Sequence, residues 1–506
     1  MNISPLPSSR RSPNGLGSPR RSKVALARYW TRLLWFPVAC LIFSLVAVQQ
    51  SGAANRAGTV RPRVEQVATI TPVLSARRVP NLLALPTQAV RLQGPVLEAL
   101  SGVPPDQTCA VVTNSRGIPV FEHNAGLPLS PASSQKLLLA FGVLTQFPAD
   151  HTFGTFAATD AQIINNAVQG HVWLIGTGDP VLTTQPYVTS FVEQPQVHSS
   201  LEVLADQVKA TGITRIRGNI LADASRYDTV KANPTWPARY GTDGTVGAIS
   251  ALNVNRGFTS FPLAGQEWAG TGPRTPAADP ARATADAFIA LLRARGVEVE
   301  GKADLGTVPP SPTFIGQLHS PPLRDIVGQM LRTSDNTIAE MLLKELGVAR
   351  VNKGSFDGGV AALTAILTEK GTLAPGTAIA DGSGLDPGNR LPCATLNNLL
   401  MAAGRESELA NALAVAGQSG TLKARLVGTP AAGHVFAKTG TLSIATSLAG
   451  FVDTAKGQTV AFSVIVNGDG AERFKAAEDL LALTLMNFPE GPDIATLMPQ
   501  ALGGSG

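Results

Sequence analysis

The chain is poor in cysteine, histidine and charge. Three cysteines, Cys40, Cys109 and Cys393, are spread over 506 residues, and the six histidines are scattered. No Cys/His cluster has the spacing of a metal site, so no bound metal is expected. In an oxidising compartment Cys109 and Cys393 could pair, but sequence does not reveal whether their Cα atoms approach. Only 15% of residues are charged. Residues 1–54 hold seven of the 41 basic residues (Arg10, Arg11, Arg20, Arg21, Lys23, Arg28, Arg32) and no acidic one. The rest carries 34 basic against 36 acidic residues, a net of about −2, so the body has no nucleic-acid footprint. No fixed-period repeat occurs between Phe153 and Thr313, which excludes a repeat architecture there.

What is present is a long chain rich in turns, with 50 Gly and 37 Pro, enough for two or three domains. Its basic N-terminus leads into the 16-residue apolar run Leu33–Val48 and then into Gln49-Gln50-Ser51-Gly52-Ala53-Ala54. A charged region, an apolar region and small residues describe an export signal. The run is long for a signal core and short for a spanning helix. Either reading puts the body outside the cytoplasm, because the arginines stay inside. Residues 51–90 lack periodicity and read as a linker.

Two apolar runs, Thr108–Thr113 and Ile118–His123, flank an Asn114–Gly117 turn and predict a β-hairpin. A short helix is expected from Gln93 to Leu100, and another from Ser133 to about Gln146. Beyond Phe153, strand-like stretches at 172–175, 213–216 and 296–300 alternate with helical spacing at 201–210 and 283–295. Helical patterns follow over Leu323–Leu346, broken by polar residues at Thr333–Thr337, then Gly358–Glu369 and Thr395–Gly404. Strands are expected at 435–441, 447–452 and 459–466, and a last helix over Ala471–Leu485.

Three motifs stand out in this order. Pro131-Ala132-Ser133-Ser134-Gln135-Lys136 opens a helix, Ser334-Asp335-Asn336 lies between helices, and Lys438-Thr439-Gly440 lies on a C-terminal strand. Ser133 and Lys136, three apart, share one helix face, where a neutral lysine can act as base for a serine nucleophile. Singly each motif is ordinary: a serine N-cap, a helix break, an edge strand. Together they form the Ser-x-x-Lys, Ser-Asp-Asn, Lys-Thr-Gly signature of penicillin-binding proteins and some β-lactamases.

With Gly178-Asp179-Pro180, Asp381-Gly382-Ser383-Gly384-Leu385, Gly420-Thr421-Leu422 and the segment Gly428–Gly433, the chain resembles the D-alanyl-D-alanine carboxypeptidase/endopeptidase family, low-molecular-mass class C penicillin-binding proteins, from Gln93 to Phe488. The resemblance implies an α+β fold: a serine β-lactamase/transpeptidase-like domain, an antiparallel sheet flanked by helices plus a helical subdomain. A β-rich domain is inserted between the first and second motifs. The implied division is a basic cytoplasmic N-terminus (1–32), a signal or anchor (33–50), a linker (51–90), the penicillin-binding domain (91–152 and 319–490), the inserted domain (153–318) and a tail (491–506).

The resemblance further implies a serine D,D-peptidase of the cell envelope that acts on peptidoglycan stem peptides without a cofactor and is acylated by β-lactams. Nucleic acid is not a partner, and the membrane is met only through the N-terminal segment. Ser133 is the expected nucleophile, Lys136 its base and Ser334 a proton relay to the leaving amine. Asn336 would hold the substrate amide. Thr439, Thr441 and the charge of Lys438 would bind the terminal carboxylate, and Gly440 would leave room for the helix behind it. The N–H groups of Ser133 and Thr441 would form an oxyanion hole. Bringing a lysine from about 10.4 to about 7 requires roughly 4 kcal/mol, from burial and a like charge; Lys438 would be that charge.

Two positions depart from the family's wording: Asp386-Pro387 where Ser-Arg is common, and Ser443 where some members carry Gln. They bear on stem-peptide specificity, and make endopeptidase activity a weaker expectation than carboxypeptidase activity. One rival reading is a β-lactamase, against which no Glu-x-x-Leu-Asn segment is found. Another is a non-catalytic cell-wall binding protein, against which the motifs are complete. An α/β-hydrolase is poorly supported, since neither Ser383 nor Ser419 lies in a Gly-x-Ser-x-Gly elbow.

Overall fold

The computed structural model describes residues 80–191, 193–262 and 274–489. The expected leader, most of the linker and the tail lie outside the described residues. Among the described residues, no helix is long and apolar enough to cross a membrane.

The first helix, α1 (Pro80–Ala99), starts 13 residues before the expected one. Pro86 and Pro95 lie inside it; Pro86, which removes a backbone donor, falls before the expected start at Gln93 and interrupts the pattern of the earlier turns. The hairpin follows as β1 (Thr108–Asn114) and β2 (Pro119–His123). Helix α2 (Gln135–Gln146) carries the first motif at its start, and every residue from Gln135 to Val143 is buried. A helix enclosed on all sides belongs to the middle of a domain.

Residues 154–319 build a second sheet. Its strands are β3 (Gly154–Thr159), β4 (Val172–Gly176), β5 (Ile220–Asp223), β6 (Ala303–Leu305) and β7 (Thr313–His319), in the order β6-β5-β4-β3-β7. The strands β4, β5 and β6 run parallel, whereas β3 pairs antiparallel with β4 and β7. Helices α3 (Leu201–Ala210) and α4 (Pro280–Ala294) bury Leu204, Val208, Phe288 and Leu292 in one cluster with these strands. Asp279 caps α4, accepting the N–H of Arg282 at 3.0 Å. Chain entry and exit are adjacent, because Gly154 is registered with His319. The expected strands at 213–216 and 296–300 shrink to two-residue pieces of a small four-stranded sheet.

The chain then returns through α5 (Leu323–Thr333), α6 (Asn336–Val351), α7 (Phe356–Glu369) and α8 (Cys393–Ala403). It closes with β8 (Ala414–Val415), β9 (Val435–Leu442), β10 (Ala445–Asp453), β11 (Thr459–Asn467) and α9 (Lys475–Leu485). These strands join the hairpin in one antiparallel sheet, β8-β9-β10-β11-β1-β2. Alternate residues serve two cores. Cys109, Val111, Ala461 and Ile465 join the helical cluster around α2 and α6. Ala110, Val112, Val460, Phe462 and Val464 pack with residues of α1 and α9.

Cys109 of β1 and Cys393 of α8 form a disulfide with Cα atoms 5.8 Å apart, closing a separation of 284 residues. It ties the sheet to the helical layer. Loop-closure entropy for so long a loop corresponds to roughly 5 kcal/mol. Cys109→Ala should therefore lower the urea midpoint substantially, and the denatured, unreduced protein should show no alkylatable thiol at either position. An unchanged midpoint would mean that the unfolded chain is not constrained by this bridge.

Candidate active site

Ser133 lies in a single 3-10 turn, Ala132–Ser134, that runs into α2. The turn is strained and enclosed. Ala132 has φ 48°, unusual for a residue with a side chain and typical of functional turns. Gly384, at φ +88°, faces its carbonyl so closely that a Cβ there would lie 1.9 Å from the oxygen. From the other side, a Cβ on Gly440 of β9 would come within 2.7 Å of the Pro131 oxygen and 3.0 Å of the Ser133 nitrogen. At Gly440, therefore, a side chain would collide with the backbone that leads into α2. Ser447 of β10 donates to the Pro131 carbonyl at 2.7 Å and pairs with the Ser134 hydroxyl at 2.8 Å, stitching turn to sheet.

Lys136 is fully buried, and its Nζ has three neighbours: Ser133 Oγ at 3.1 Å, Asn336 Oδ1 at 2.7 Å and the Ser383 carbonyl at 2.7 Å. As an ammonium it donates to all three. As an amine it keeps two N–H bonds and one lone pair. Two of the neighbours are carbonyl oxygens, which can only accept. The lone pair is left for Ser133, the one neighbour with a proton to give. The Asn336 orientation is itself fixed, since its Nδ2 donates to the Thr245 carbonyl at 2.9 Å.

Burial lowers the Lys136 pKa to about 8, against the opposing pull of Asp381, Glu340 and Asp335. Both inner carboxylates are also buried. Glu340 is pushed up to about 8 by desolvation, and Asp381 is pushed up for the same reason. Glu340 accepts the N–H groups of Ser383 (2.7 Å) and Gly382 (3.1 Å). Asp381 accepts from Trp236, Gly384, Asp386 and Asn389. The loop presenting the Ser383 carbonyl is thereby held from beneath.

Ser334 ends α5 in the left-handed region, at φ 59°, and Asp335 caps α6 by accepting the N–H of Ile338 at 2.8 Å. Lys438 is fully buried and donates to Ser334 Oγ at 3.0 Å and to the Thr439 carbonyl at 2.6 Å. Its pKa falls well below the ordinary lysine value, through desolvation first and the like charge of Lys136 second. Thr439 donates to Thr421 Oγ1 at 2.8 Å. Thr441, two residues on, shares that face of β9.

The three motifs therefore converge. Ser133 and Lys136 meet Asn336, and Ser334 meets Lys438. Asn336 was expected to hold a substrate amide; its oxygen takes Lys136 and one N–H takes Thr245, which leaves one N–H. Sequence reasoning missed Ser383, whose main-chain oxygen carries no residue-type signal, and also Glu340 and Thr245. Of the two departures, Asp386 is buried and accepts from Thr235 Oγ1 and from the N–H of Gly388. Ser443 is exposed, and its carbonyl accepts from Gly470 at 3.0 Å.

A profile of the D-Ala-D-Ala carboxypeptidase 3 (S13) family matches residues 99–272 and 265–487. The chain is 28% identical over 488 residues to a D-alanyl-D-alanine carboxypeptidase of Actinomadura sp. (strain R39), covering 82% of this chain and 87% of that one. It is 30% identical over 470 residues to carboxypeptidase DacB of Mycolicibacterium smegmatis, covering 90% and 97%. Its fold is similar to the crystal structure of penicillin binding protein 4 from Haemophilus influenzae, with a TM-score of 0.65 at 23% identity over 78% of this chain and 98% of that chain. The same protein complexed with a β-lactam gives a TM-score of 0.61 at 22% identity, with the same coverage.

A base role for Lys136 predicts an acid limb of the reaction near pH 8. Because burial favours the neutral amine, roughly one-tenth of Lys136 is in that form at pH 7. The rate of Ser133 acylation by a β-lactam should rise about tenfold per pH unit below about 8 and level off above it. A rate flat from pH 6 to 9 would remove Lys136 from the base role.

Proposed function

The chain belongs to the D-Ala-D-Ala carboxypeptidase 3 (S13) family, and we propose that its serine D-Ala-D-Ala carboxypeptidase activity runs through an acyl-enzyme on Ser133. The observation that carries this reading is the lone pair of Lys136, which two carbonyl oxygens leave to Ser133.

Ser133 Oγ attacks the carbonyl of the penultimate D-alanine of a peptidoglycan stem peptide, and its proton passes to Lys136 Nζ. The N–H groups of Ser133 and Thr441 receive the oxyanion, each worth about 3 kcal/mol. The C–N bond then breaks, and Ser334 Oγ gives a proton to the departing amine and is resupplied by Lys438. Thr439 and Thr441 bind the terminal carboxylate; Thr439 turns its hydroxyl from Thr421 to do so. Lys438 adds positive charge there. Lys136 gives up to Lys438 the proton it took from Ser133, which restores both lysines; it then deprotonates water, which attacks the ester, and the proton passes to Ser133 Oγ as that oxygen leaves.

A β-lactam presents an amide and a carboxylate in similar places, and its amine stays tethered after ring opening, so the acyl-enzyme persists. The site works outside the cytoplasm, and the disulfide suits an oxidising compartment. Residues 33–50 either direct export and are removed or remain as an anchor; the mass of the mature N-terminus distinguishes the two.

Labelled penicillin should form a stable adduct that Ser133→Ala abolishes. Lys136→Ala should slow acylation by about 10²–10⁴-fold. An adduct that survives Ser133→Ala sinks the nucleophile assignment. In digests of purified cell wall, stems shortened by one alanine are expected. Conversion of cross-linked dimers to monomers would add D,D-endopeptidase activity, and an intact wall with penicillin binding retained would favour a non-catalytic binder. Penicillin turnover at many cycles per second would favour a β-lactamase.

A further inference from the structure

Asp335 lies between two residues of the site, yet its own carboxylate is engaged elsewhere. Oδ1 caps α6, and Oδ2 lies 2.7 Å from Nη1 of Arg256, with side-chain exposures of 9% and 8%. Separating such a pair takes from the enclosed Asp335 carboxylate the guanidinium that meets its Oδ2. Arg256 comes from the segment between the first and second motifs, and the backbone there is shaped to deliver it. Asn255, Arg256 and Gly257 are all left-handed, at φ 54°, 52° and 73°. Asn255 is pinned by the N–H of Thr184, which donates to its Oδ1 at 2.8 Å. Gly247 packs against the Arg256 carbonyl so tightly that a Cβ would lie 1.8 Å from it, and its own N–H donates to Thr337 Oγ1 of α6 at 3.0 Å. The guanidinium is centred 4.8 Å from the Phe191 ring.

Ser334 itself has φ 59°. Asp335 follows it directly, its N–H donating to the Met330 carbonyl at 3.1 Å, so the Arg256 ion pair anchors the C-terminal side of the turn that carries the Ser334 hydroxyl. We propose that Arg256 is a positioning residue for Ser334, holding its hydroxyl on Lys438 so that the leaving amine receives its proton. The inference rests on the Ser133 acyl-enzyme reading. In the step concerned, the C–N electron pair goes to nitrogen, Ser334 Oγ supplies the proton and Lys438 Nζ replaces it. A thioester with the same acyl group needs no such proton, because the C–S electron pair leaves with sulfur as a thiolate.

The test compares a peptide ending in D-Ala-D-Ala with its thioester analogue. Arg256→Gln should lower kcat/KM on the peptide by about 100-fold, as expected for lost general acid help, and on the thioester by less than about fivefold. Arg256→Lys should recover part of the loss. Asp335→Asn, which keeps the cap oxygen, should reproduce the amide-selective defect, and it carries the test if Arg256→Gln does not fold. Arg226→Gln breaks another ion pair onto α6, Arg226–Glu345 at 2.7 Å, and should leave the ratio of the two substrates unchanged. Equal losses on both substrates, or none, overturn the inference. Turnover that survives Ser133→Ala overturns the acyl-enzyme reading instead.

Discussion

The site depends on the direction of one lone pair. Lys136 is enclosed, so its nitrogen cannot turn to water, and each of its bonds must be met by protein. Two of the three partners are carbonyl oxygens brought from about 200 and 247 residues away in sequence. Their inability to donate is what matters. Had either been a hydroxyl, the neutral amine could have rotated its lone pair away from Ser133 and been no base at all. Asn336 can present its oxygen only because the Thr245 carbonyl takes its amide N–H. A residue of the segment between the first and second motifs therefore decides the orientation of the second motif, which decides the chemistry of the first.

Around that nitrogen the protein buries two lysines and two carboxylates. Burial drives all four toward neutrality, and the like charges of Lys136 and Lys438 oppose each other. In the proposed reaction, a substrate carboxylate at Thr439 and Thr441 would favour the ammonium form of Lys438, the form able to resupply Ser334.

That these motifs would converge was legible in the chain because the proposed acyl transfer constrains residue types: Ser133, Lys136, Ser334, Asn336 and Lys438 are the types it calls for, and they meet in the fold. The hairpin, the broken helix at Thr333–Thr337 and the three closing strands follow from patterning. What escaped was of another kind. Ser383 acts through its main-chain oxygen, which any residue possesses. Glu340 looks like any acid in a helix, and only its burial under Gly382 and Ser383 gives it a role. The start of α1 was hidden by Pro86, and the short pieces of the four-stranded sheet by their length. The Cys109–Cys393 bridge needed a distance, which sequence lacks.

The segment between the first and second motifs also fixes the register of α6. Lys344 and Glu345 are adjacent on that helix, buried, and opposite in charge. Asp228 meets the first at 2.6 Å and Arg226 the second at 2.7 Å. Tyr227, between them, donates to the Met341 carbonyl at 3.0 Å. A slip of α6 by one residue would either bring Lys344 to Arg226 and leave Asp228 facing Leu343, or bring Glu345 to Asp228 and leave Arg226 facing Leu346, and each breaks both correct pairs. Such paired charges are poor sources of stability but good sources of register. Register is what Asn336 requires, since it opens the same helix and must present one oxygen to one nitrogen. The opposed pairs at Lys344 and Glu345 fix the rotation of α6 about its axis, and the Arg256–Asp335 pair fixes its first turn.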